Sequence, residues 1–253
     1  MNAVPAALET HSLCKSFGAL TVAADINFRL EAGARHALIG PNGAGKTTFV
    51  NMLTGVLAPS SGQIVLGGTE VTRVSQAARV KRGLGRTFQI NALFRRLSVL
   101  DNVALAVAER LGIALHVLRS ASAHAEVRDE SMELLGTLGL AGDAGQRILD
   151  LPYGKQRLVE IAIALGLKPK VLLLDEPAAG VPSMESGRIL QVLDTLPKDI
   201  AILIIEHDMD LVFRFAQRIT VMVQGEVLVE GGPEEIAHDR RVHQVYLGEQ
   251  RHA

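Results

Sequence analysis

Hydrophobic residues follow two kinds of pattern along this chain. Two uninterrupted apolar runs, at residues 171–174 and 200–205, are flanked by polar residues. Such runs are typical of strands buried on both faces of a parallel sheet. Alternating apolar and polar positions indicate strands with one solvated face at residues 8–13, 26–30, 219–223 and 226–230. The pattern therefore predicts an α/β fold with a mainly parallel central sheet.

Helical spacing replaces this pattern in the middle of the chain. Residues 91–165 show helical periodicity and no strand signal. Ser98 and Asp101 have the spacing of a helix capping box, with Asp in place of Glu. Further helices are predicted at 74–82, 121–138, 157–165 and 184–196, and a loop is predicted at 15–18.

A glycine-rich stretch follows the apolar residues 37–39 and precedes a helical pattern at 49–53. Its spacing, G-x-x-x-x-G-K-T, is that of a phosphate-binding P-loop. Glycines let the backbone N–H groups point at phosphate oxygens, and the helix N-terminus adds positive charge. Lys46 would contact the β- and γ-phosphates, and the Thr47 hydroxyl would ligate Mg²⁺. The predicted nucleotide-binding residues are Gly40, Pro41, Asn42, Gly43, Ala44, Gly45, Lys46, Thr47 and Thr48.

Acidic residues and a histidine end the two apolar runs. Asp175 and Glu176 follow the first run, and His207 follows the second. Ligands of open α/β sheets bind at the carboxyl ends of the strands, so these side chains are expected near the P-loop. Asp175 would hold the metal with Thr47, and Glu176 would activate the water that attacks the γ-phosphorus.

Two further positions have both a structural and a functional interpretation. Phe17 either packs in the core or in a turn, or provides a platform on which a purine ring stacks. Gln89, after the strand pattern that starts at Arg86, is either a solvated strand end or a side chain that reaches the metal and the attacking water.

Composition narrows the range of partners. A formal net charge of −1 argues against a broad basic face for nucleic acid. Cys14 is the sole cysteine, so an intrachain disulfide is impossible and a reducing, cytosolic setting fits. The mean hydropathy of +0.23 is high, but the N-terminus does not resemble a signal peptide, and residues 103–118 are interrupted by charges. We expect a soluble protein without a membrane span.

Five motifs, in order, resemble those of the ATP-binding subunits of ABC transporters. They match the Walker A, Q-loop, signature, Walker B and H-loop segments, at residues 40–48, 86–89, 151–156, 171–177 and 205–207. The segments around Tyr153 and Tyr246 look most like those of branched-chain amino acid importers. The resemblance spans nearly the whole chain.

This resemblance implies a P-loop NTPase of the ABC ATPase type. An N-terminal antiparallel β-subdomain and a catalytic core would comprise residues 1–90 and 166–253, with a helical subdomain inserted at 91–165. Two subunits would sandwich two ATP molecules with Mg²⁺. Phe17 would stack on adenine, Gln89 would sense the γ-phosphate and ligate the metal, and His207 would contact the γ-phosphate.

The partners are also implied by the resemblance. Across the dimer, the signature residues would contact the nucleotide of the other subunit; they are Tyr153, Gly154, Lys155 and Gln156. The helical subdomain would dock transmembrane permease subunits on the cytoplasmic face of the inner membrane. A periplasmic or extracellular solute-binding protein would be linked indirectly, and nucleic acid is not expected as a partner.

The chain departs from the family's usual motifs at two points. Pro152 replaces the signature serine, so the phosphate contact would rely on the backbone of Gly154 and the dipole of a helix beginning at Arg157. Residues 180–182, Gly-Val-Pro, lack the usual carboxylate. Three alternatives stay open: an exporter subunit for lipid or lipopolysaccharide, a soluble ABC ATPase, and a small-molecule kinase.

Overall fold

The computed structural model describes residues 6–87, 93–113, 121–181 and 183–249. Within these ranges, strand β3 (Arg35–Ile39) lies inside a six-stranded sheet. The other strands are β6 (Leu84–Arg86), β7 (Val171–Asp175), β8 (Ala201–Ile205), β9 (Arg218–Val223) and β10 (Glu226–Gly231), and the strand order is β10-β9-β3-β8-β7-β6. Strands β7, β8, β3 and β9 run parallel, and β10 pairs antiparallel with β9. The predicted, mainly parallel sheet is confirmed.

A second, antiparallel sheet lies in the N-terminal part of the chain. Its order is β2-β1-β4-β5, formed by β1 (Leu8–Phe17), β2 (Leu20–Leu30), β4 (Ser61–Leu66) and β5 (Thr69–Glu70). Helix α1 (Lys46–Thr54) shares one buried cluster with both sheets, which includes Leu30, Phe49, Ile64 and Leu203. This core fixes the helix that follows the P-loop.

The prediction of a loop at residues 15–18 is wrong. Strand β1 continues to Phe17, which pairs directly with Leu20 across a turn at Gly18. The register of β1 and β2 shifts between Thr10 and Leu13 and again near Lys15. Such bulges break the two-residue alternation by which strands are detected in sequence.

The chain divides into two compact units. The first contains Met1–Leu84, Lys170–Glu176 and Lys198–Ala253, and the second contains Gly85–Pro169 and Pro177–Pro197. Besides α1, the first unit holds α2 (Gln76–Lys81), α7 (Met209–Phe215), α8 (Pro233–His238) and α9 (Arg240–Glu249).

The second unit is built from α3 (Val99–Arg110), α4 (Ala121–Thr137), α5 (Tyr153–Gly166) and α6 (Ser183–Thr195). The predicted capping box is present: the Ser98 hydroxyl accepts from the Asp101 N–H at 3.0 Å, and the Asp101 carboxylate accepts from the Ser98 N–H at 3.2 Å. Helix α5 begins at Tyr153 instead of the predicted Arg157, because the Gln156 N–H donates to the Pro152 carbonyl and closes a turn there.

Across the described ranges, no helix has both the length and the apolar composition needed to cross a bilayer.

Candidate nucleotide-binding site

The loop between β3 and α1 depends on two glycines that approach other backbone segments. Gly40 has φ 150°, and a Cβ atom there would lie 2.1 Å from the Met222 carbonyl oxygen. Gly45 has φ 94°, and a Cβ atom there would lie 2.7 Å from the Val22 carbonyl oxygen. Both positions therefore require glycine, and they fix the loop against β9 and β2.

Lys46 is the first residue of α1, and its ammonium lies over the loop. Its Nζ atom donates to the carbonyl oxygens of Gly40 at 2.5 Å and Pro41 at 2.9 Å. Thr47 follows in the first turn and is exposed. Free N–H groups at a helix N-terminus next to a lysine form an anion-binding site. This arrangement suits a phosphate chain.

The three strand ends beside the loop are in register. Leu38 on β3 pairs with Ile205 on β8, and Ile205 pairs with Asp175 on β7. Neighbouring strands lie about 4.8 Å apart. The P-loop, the segment containing His207 and the acidic pair therefore leave the sheet at one level, as the sequence predicted.

Glu176 has a left-handed backbone conformation. Its φ is 47°, which is uncommon for a residue other than glycine, and its N–H donates to the Ile205 carbonyl at 2.9 Å. The side chain is 50% exposed, and its Oε1 atom lies 3.7 Å from Nδ1 of His207. Unfavourable backbone conformations concentrate at functional sites, where surrounding structure holds them. This backbone conformation at Glu176 therefore leaves its carboxylate close to the His207 imidazole.

Glu206 was not recognised as a site residue from the sequence. It is 1% exposed, and its Oε2 atom accepts the His207 N–H at 3.2 Å and lies 3.9 Å from Nδ1. Two carboxylates, those of Glu176 and Glu206, therefore lie near the same imidazole nitrogen, Nδ1 of His207. The sequence gives no separate signal for this buried acid, because Glu206 directly follows the apolar run at 200–205 as an ordinary flanking polar residue.

The turn between β9 and β10 also supports the P-loop and was not predicted to do so. The Gly225 N–H donates to the Ala44 carbonyl at 3.0 Å, and its own carbonyl accepts from the Ala24 N–H at 2.9 Å. A Cβ atom on Gly225 would lie 2.6 Å from the Val22 carbonyl oxygen. The sequence indicated only a turn at this position.

Phe17 lies at the tip of the β1–β2 hairpin. It is 52% exposed, its strand partner Leu20 is 65% exposed, and Nζ of Lys15 lies 4.9 Å from the ring centroid. A ring with an open face can stack on a purine. The observed exposure does not fit the alternative in which Phe17 packs in a core.

The signature residues occupy the first turn of α5 in the second unit. Lys155 is bound to the Asp143 carboxylate at 2.7 Å, and the Gln156 side chain donates to the Leu151 carbonyl at 2.8 Å. Tyr153 is 40% exposed, and its hydroxyl accepts from Arg157 at 3.2 Å. Gly154 stands within this turn, so its N–H belongs to the orphan donors of the helix N-terminus.

Arg157 and Glu160 form a buried ion pair behind this turn. Nη1 of Arg157 lies 2.9 Å from the Glu160 carboxylate, and the two side chains are 9% and 4% exposed. Burial raises the pKa of Glu160 to about 7, and the Arg157 guanidinium opposes that shift. Because Arg157 also donates to the Tyr153 hydroxyl at 3.2 Å, the ion pair is linked to the first residue of α5.

Gln89 and Pro182 lie outside the described residues. Within the described ranges, no cluster of three or more His, Cys, Asp or Glu residues could hold a metal ion. A magnesium–nucleotide site does not require one, since Mg²⁺ typically takes one or two carboxylates and completes its shell with phosphate and water. The Thr47 hydroxyl and Asp175 carboxylate are suitable donors.

Comparison with known proteins decides which P-loop family this is. The sequence profile of the family described as "ABC transporter" matches residues 23–179. This chain belongs to the ABC transporter family.

Curated ABC proteins resemble the chain along nearly its full length. LivG of Escherichia coli K12, a high-affinity branched-chain amino acid transport ATP-binding protein, is 36% identical over 249 residues, which cover 96% of this chain and 98% of LivG. LptB of Acidithiobacillus ferridurans, a lipopolysaccharide export system ATP-binding protein, is 35% identical over 244 residues, covering 96% and 97%.

A solved ABC cassette has the same fold. The ADP conformation of MJ1267, an ATP-binding cassette of an ABC transporter, superposes with a TM-score of 0.85 at 29% identity, covering 96% of this chain and 99% of that one. The chain is thus an ATP-hydrolysing ABC cassette, and the predicted fold class is confirmed.

Proposed function

We propose that this ABC ATPase powers an importer of branched-chain amino acids or related small organic substrates. The similarity to LivG over 96% of the chain carries the proposal. The sequence around Tyr153 and the Tyr-Leu-Gly-Glu segment at 246–249 support it. The transported substrate does not contact this subunit, so the assignment depends on relatives and partners.

Hydrolysis would follow from the groups at the three strand ends. Lys46 and the loop amides would hold the triphosphate, and Glu176 would take the proton of the attacking water. His207, 3.7 Å from Glu176, would contact the γ-phosphate and keep that carboxylate in place. The ring of Phe17 would carry the adenine.

Mg²⁺ would neutralise charge on the phosphates. Its protein ligands would be the Thr47 hydroxyl, the Gln89 amide and the Asp175 carboxylate. Thr47 is exposed in the first turn of α1, and Asp175 is the last residue of β7.

A second ATPase subunit would complete the site, in a homodimer or a heterodimer. The first turn of α5 would contact the nucleotide held by the other subunit. Since Lys155 and Gln156 are bound within their own unit, the contact would rely on Tyr153 and the backbone N–H of Gly154. The start of α5 at Tyr153 places the helix dipole at that N–H.

An exposed surface on the second unit fits a membrane partner. Phe94, Leu97 and Leu149 are 60%, 39% and 41% exposed, on segments joined by a hydrogen bond from the Leu149 N–H to the Arg95 carbonyl. We call these three side chains the apolar surface. A cytoplasmic helix of a permease would dock there, which would place the ATPase at the cytoplasmic face of the membrane, with a solute-binding protein acting on the other side.

LptB, at 35% identity, favours an exporter as the second candidate function. Reconstitution separates the two: the ATPase would be purified with its membrane partners and assayed in proteoliposomes. The importer predicts that a solute-binding protein loaded with leucine, isoleucine or valine stimulates hydrolysis. Stimulation of hydrolysis by lipopolysaccharide alone would instead support the exporter. If no membrane protein co-purifies with the ATPase, both candidate functions are contradicted.

A further inference from the structure

Arg79 is a buried cation whose guanidinium is surrounded by backbone carbonyl groups. The residue is 1% exposed, and its N–H groups donate to the carbonyls of Met52, Leu53, Val74 and Thr72. Burial lowers the pKa of this side chain, yet an arginine stays charged in a protein. A buried charge is costly unless its hydrogen bonds are made, and the four carbonyl acceptors meet this requirement for Arg79.

Two of the four carbonyls belong to the last turn of α1. Nη1 of Arg79 lies 2.6 Å from the oxygen of Met52 and 2.6 Å from that of Leu53. The last carbonyls of a helix lack the usual partner four residues on, and they form the negative end of the helix dipole. The Met52 carbonyl also accepts the Gly55 N–H at 3.2 Å. Arg79 therefore caps the C-terminus of the P-loop helix with hydrogen bonds and with charge.

The other two carbonyls fix Arg79 to the antiparallel sheet. Thr72 and Val74 accept at 3.0 Å each, and they lie between β5 and α2. The Thr72 hydroxyl in turn accepts the N–H of Ile64 on β4 at 2.9 Å. One side chain thus joins the end of α1 to the β4–β5 hairpin.

Gly55 makes room for this contact. It caps α1 with φ 79°, and a Cβ atom there would lie 3.0 Å from Nε of Arg79. The C-terminal end of α1, the capping residue Gly55 and the guanidinium of Arg79 are therefore in direct contact.

We propose that Arg79 is a positioning residue for the triphosphate of ATP. Lys46 and Thr47 lie at the opposite end of α1, a helix of nine residues, or about 13 Å at 1.5 Å per residue. Such a short helix moves as a rigid rod, so fixing its C-terminal end sets where the phosphate-binding end points. The inference concerns the ATPase reaction and does not depend on the transported substrate.

The test compares Arg79→Met with Arg82→Met. Arg82 closes the same helix, α2, but its side chain is exposed. In steady-state hydrolysis by the full-length chain, we expect Arg79→Met to raise the KM for Mg-ATP about tenfold, because small displacements of binding groups are costly. The kcat per folded molecule should change less than about threefold, since phosphate binding in the ground state and transition state weakens together. Arg82→Met should match the wild type.

Arg79→Lys provides a second, milder change if the methionine variant does not fold. Lysine keeps the charge at the end of α1 but cannot reach four carbonyls in a fixed plane, so an intermediate KM is expected. A purely structural role would lower the melting temperature and the folded fraction while leaving KM within about twofold of the wild type. That result in either variant would overturn the proposal.

Discussion

Nδ1 of His207 lies 3.7 Å from Oε1 of Glu176. The two residues are far apart in sequence, and the pairing of Asp175 with Ile205 on adjacent parallel strands brings them together. Both side chains are exposed, and they follow β8 and β7, the next two strands after β3 in the sheet. The relationship gives each residue a testable role in hydrolysis.

Replacing Glu176 with glutamine should separate binding from hydrolysis. Glu176→Gln keeps the size of the side chain but removes the proposed general base, so the hydrolysis rate should fall by roughly 10²–10⁴ while Mg-ATP still binds. Phosphate release and nucleotide titration measure the two properties. Glu70→Gln, at an exposed acid on β5, is the matched control and should keep the wild-type rate. Full activity in Glu176→Gln would remove Glu176 from the mechanism.

Gly225→Ala should disturb the P-loop from a distant part of the sequence. Gly225 has φ 85°, and an added Cβ would lie 2.6 Å from the Val22 carbonyl oxygen. Gly68 has φ 77° in another hairpin turn, and nothing lies within 4 Å of its added Cβ. Both alanines bear the backbone penalty of about 1–2 kcal/mol, but only Gly225→Ala adds a clash.

Nucleotide affinity should therefore fall in Gly225→Ala and stay at the wild-type value in Gly68→Ala. Equilibrium titration with Mg-ATP checks this, with thermal melting as a measure of folding. Equal affinities in the two variants would show that the Gly225 turn does not support the loop.

His36 should make the protein sensitive to acid. It is 1% exposed on β3, and its Nε2 atom lies 2.8 Å from the Thr220 hydroxyl. Burial lowers the pKa of His36 from 6.5 to about 4, while Glu230 acts in the opposite direction. Between these values the unfolded chain binds a proton that the folded chain does not. The stability contributed by neutral, buried His36 is therefore complete above pH 6.5 and is lost as the pH falls towards 4.

At pH 5 this loss amounts to about 2 kcal/mol, from about 1.5 pH units at 1.36 kcal/mol each. His36→Gln keeps a polar side chain without a titrating group, so its free energy of unfolding should fall less between about pH 7.5 and pH 5. Urea unfolding at both values measures the difference. The same pH dependence in both proteins would exclude His36 as its source.

The apolar surface should matter only when membrane partners are present. Leu149→Ser should leave hydrolysis by the isolated chain unchanged and weaken co-purification with the permease, because Leu149 is 41% exposed on that surface. Leu105→Ser is the control, because Leu105 on α3 is similarly exposed, at 44%, but does not belong to the apolar surface. Equal recovery of the permease with both variants would contradict docking at the apolar surface.

Long apolar runs and the P-loop spacing were enough to predict the parallel sheet and the placement of Asp175 and Glu176. Both patterns lie within short stretches of sequence. Because ligands of open α/β sheets bind at the carboxyl ends of the strands, the two patterns together predict where the site lies. The prediction begins α5 four residues too late, because proline and glycine such as Pro152 and Gly154 are unfavourable inside helices. Pro152 has φ −56° and stands just before the first helical residue, where its ring does not interrupt a hydrogen bond.

Contacts between distant segments could not be predicted. Gly225 and Arg79 act on the P-loop and on α1 through backbone carbonyls, and a carbonyl acceptor leaves no mark in the residue type that supplies it. The conformation of Glu176 likewise follows from its N–H bond to Ile205 on the next strand. Such relationships become visible only when the sheet order is known.

The central claim is that Lys46 and the loop amides bind a triphosphate, and titration calorimetry with Mg-ATP tests it most directly. Wild-type protein and Lys81→Ala, which removes an exposed lysine of α2, should bind with the same Kd. Lys46→Ala should bind at least about tenfold more weakly, a difference of about 1.4 kcal/mol. No binding to the folded wild-type protein, or an unchanged Kd in Lys46→Ala, would contradict the account.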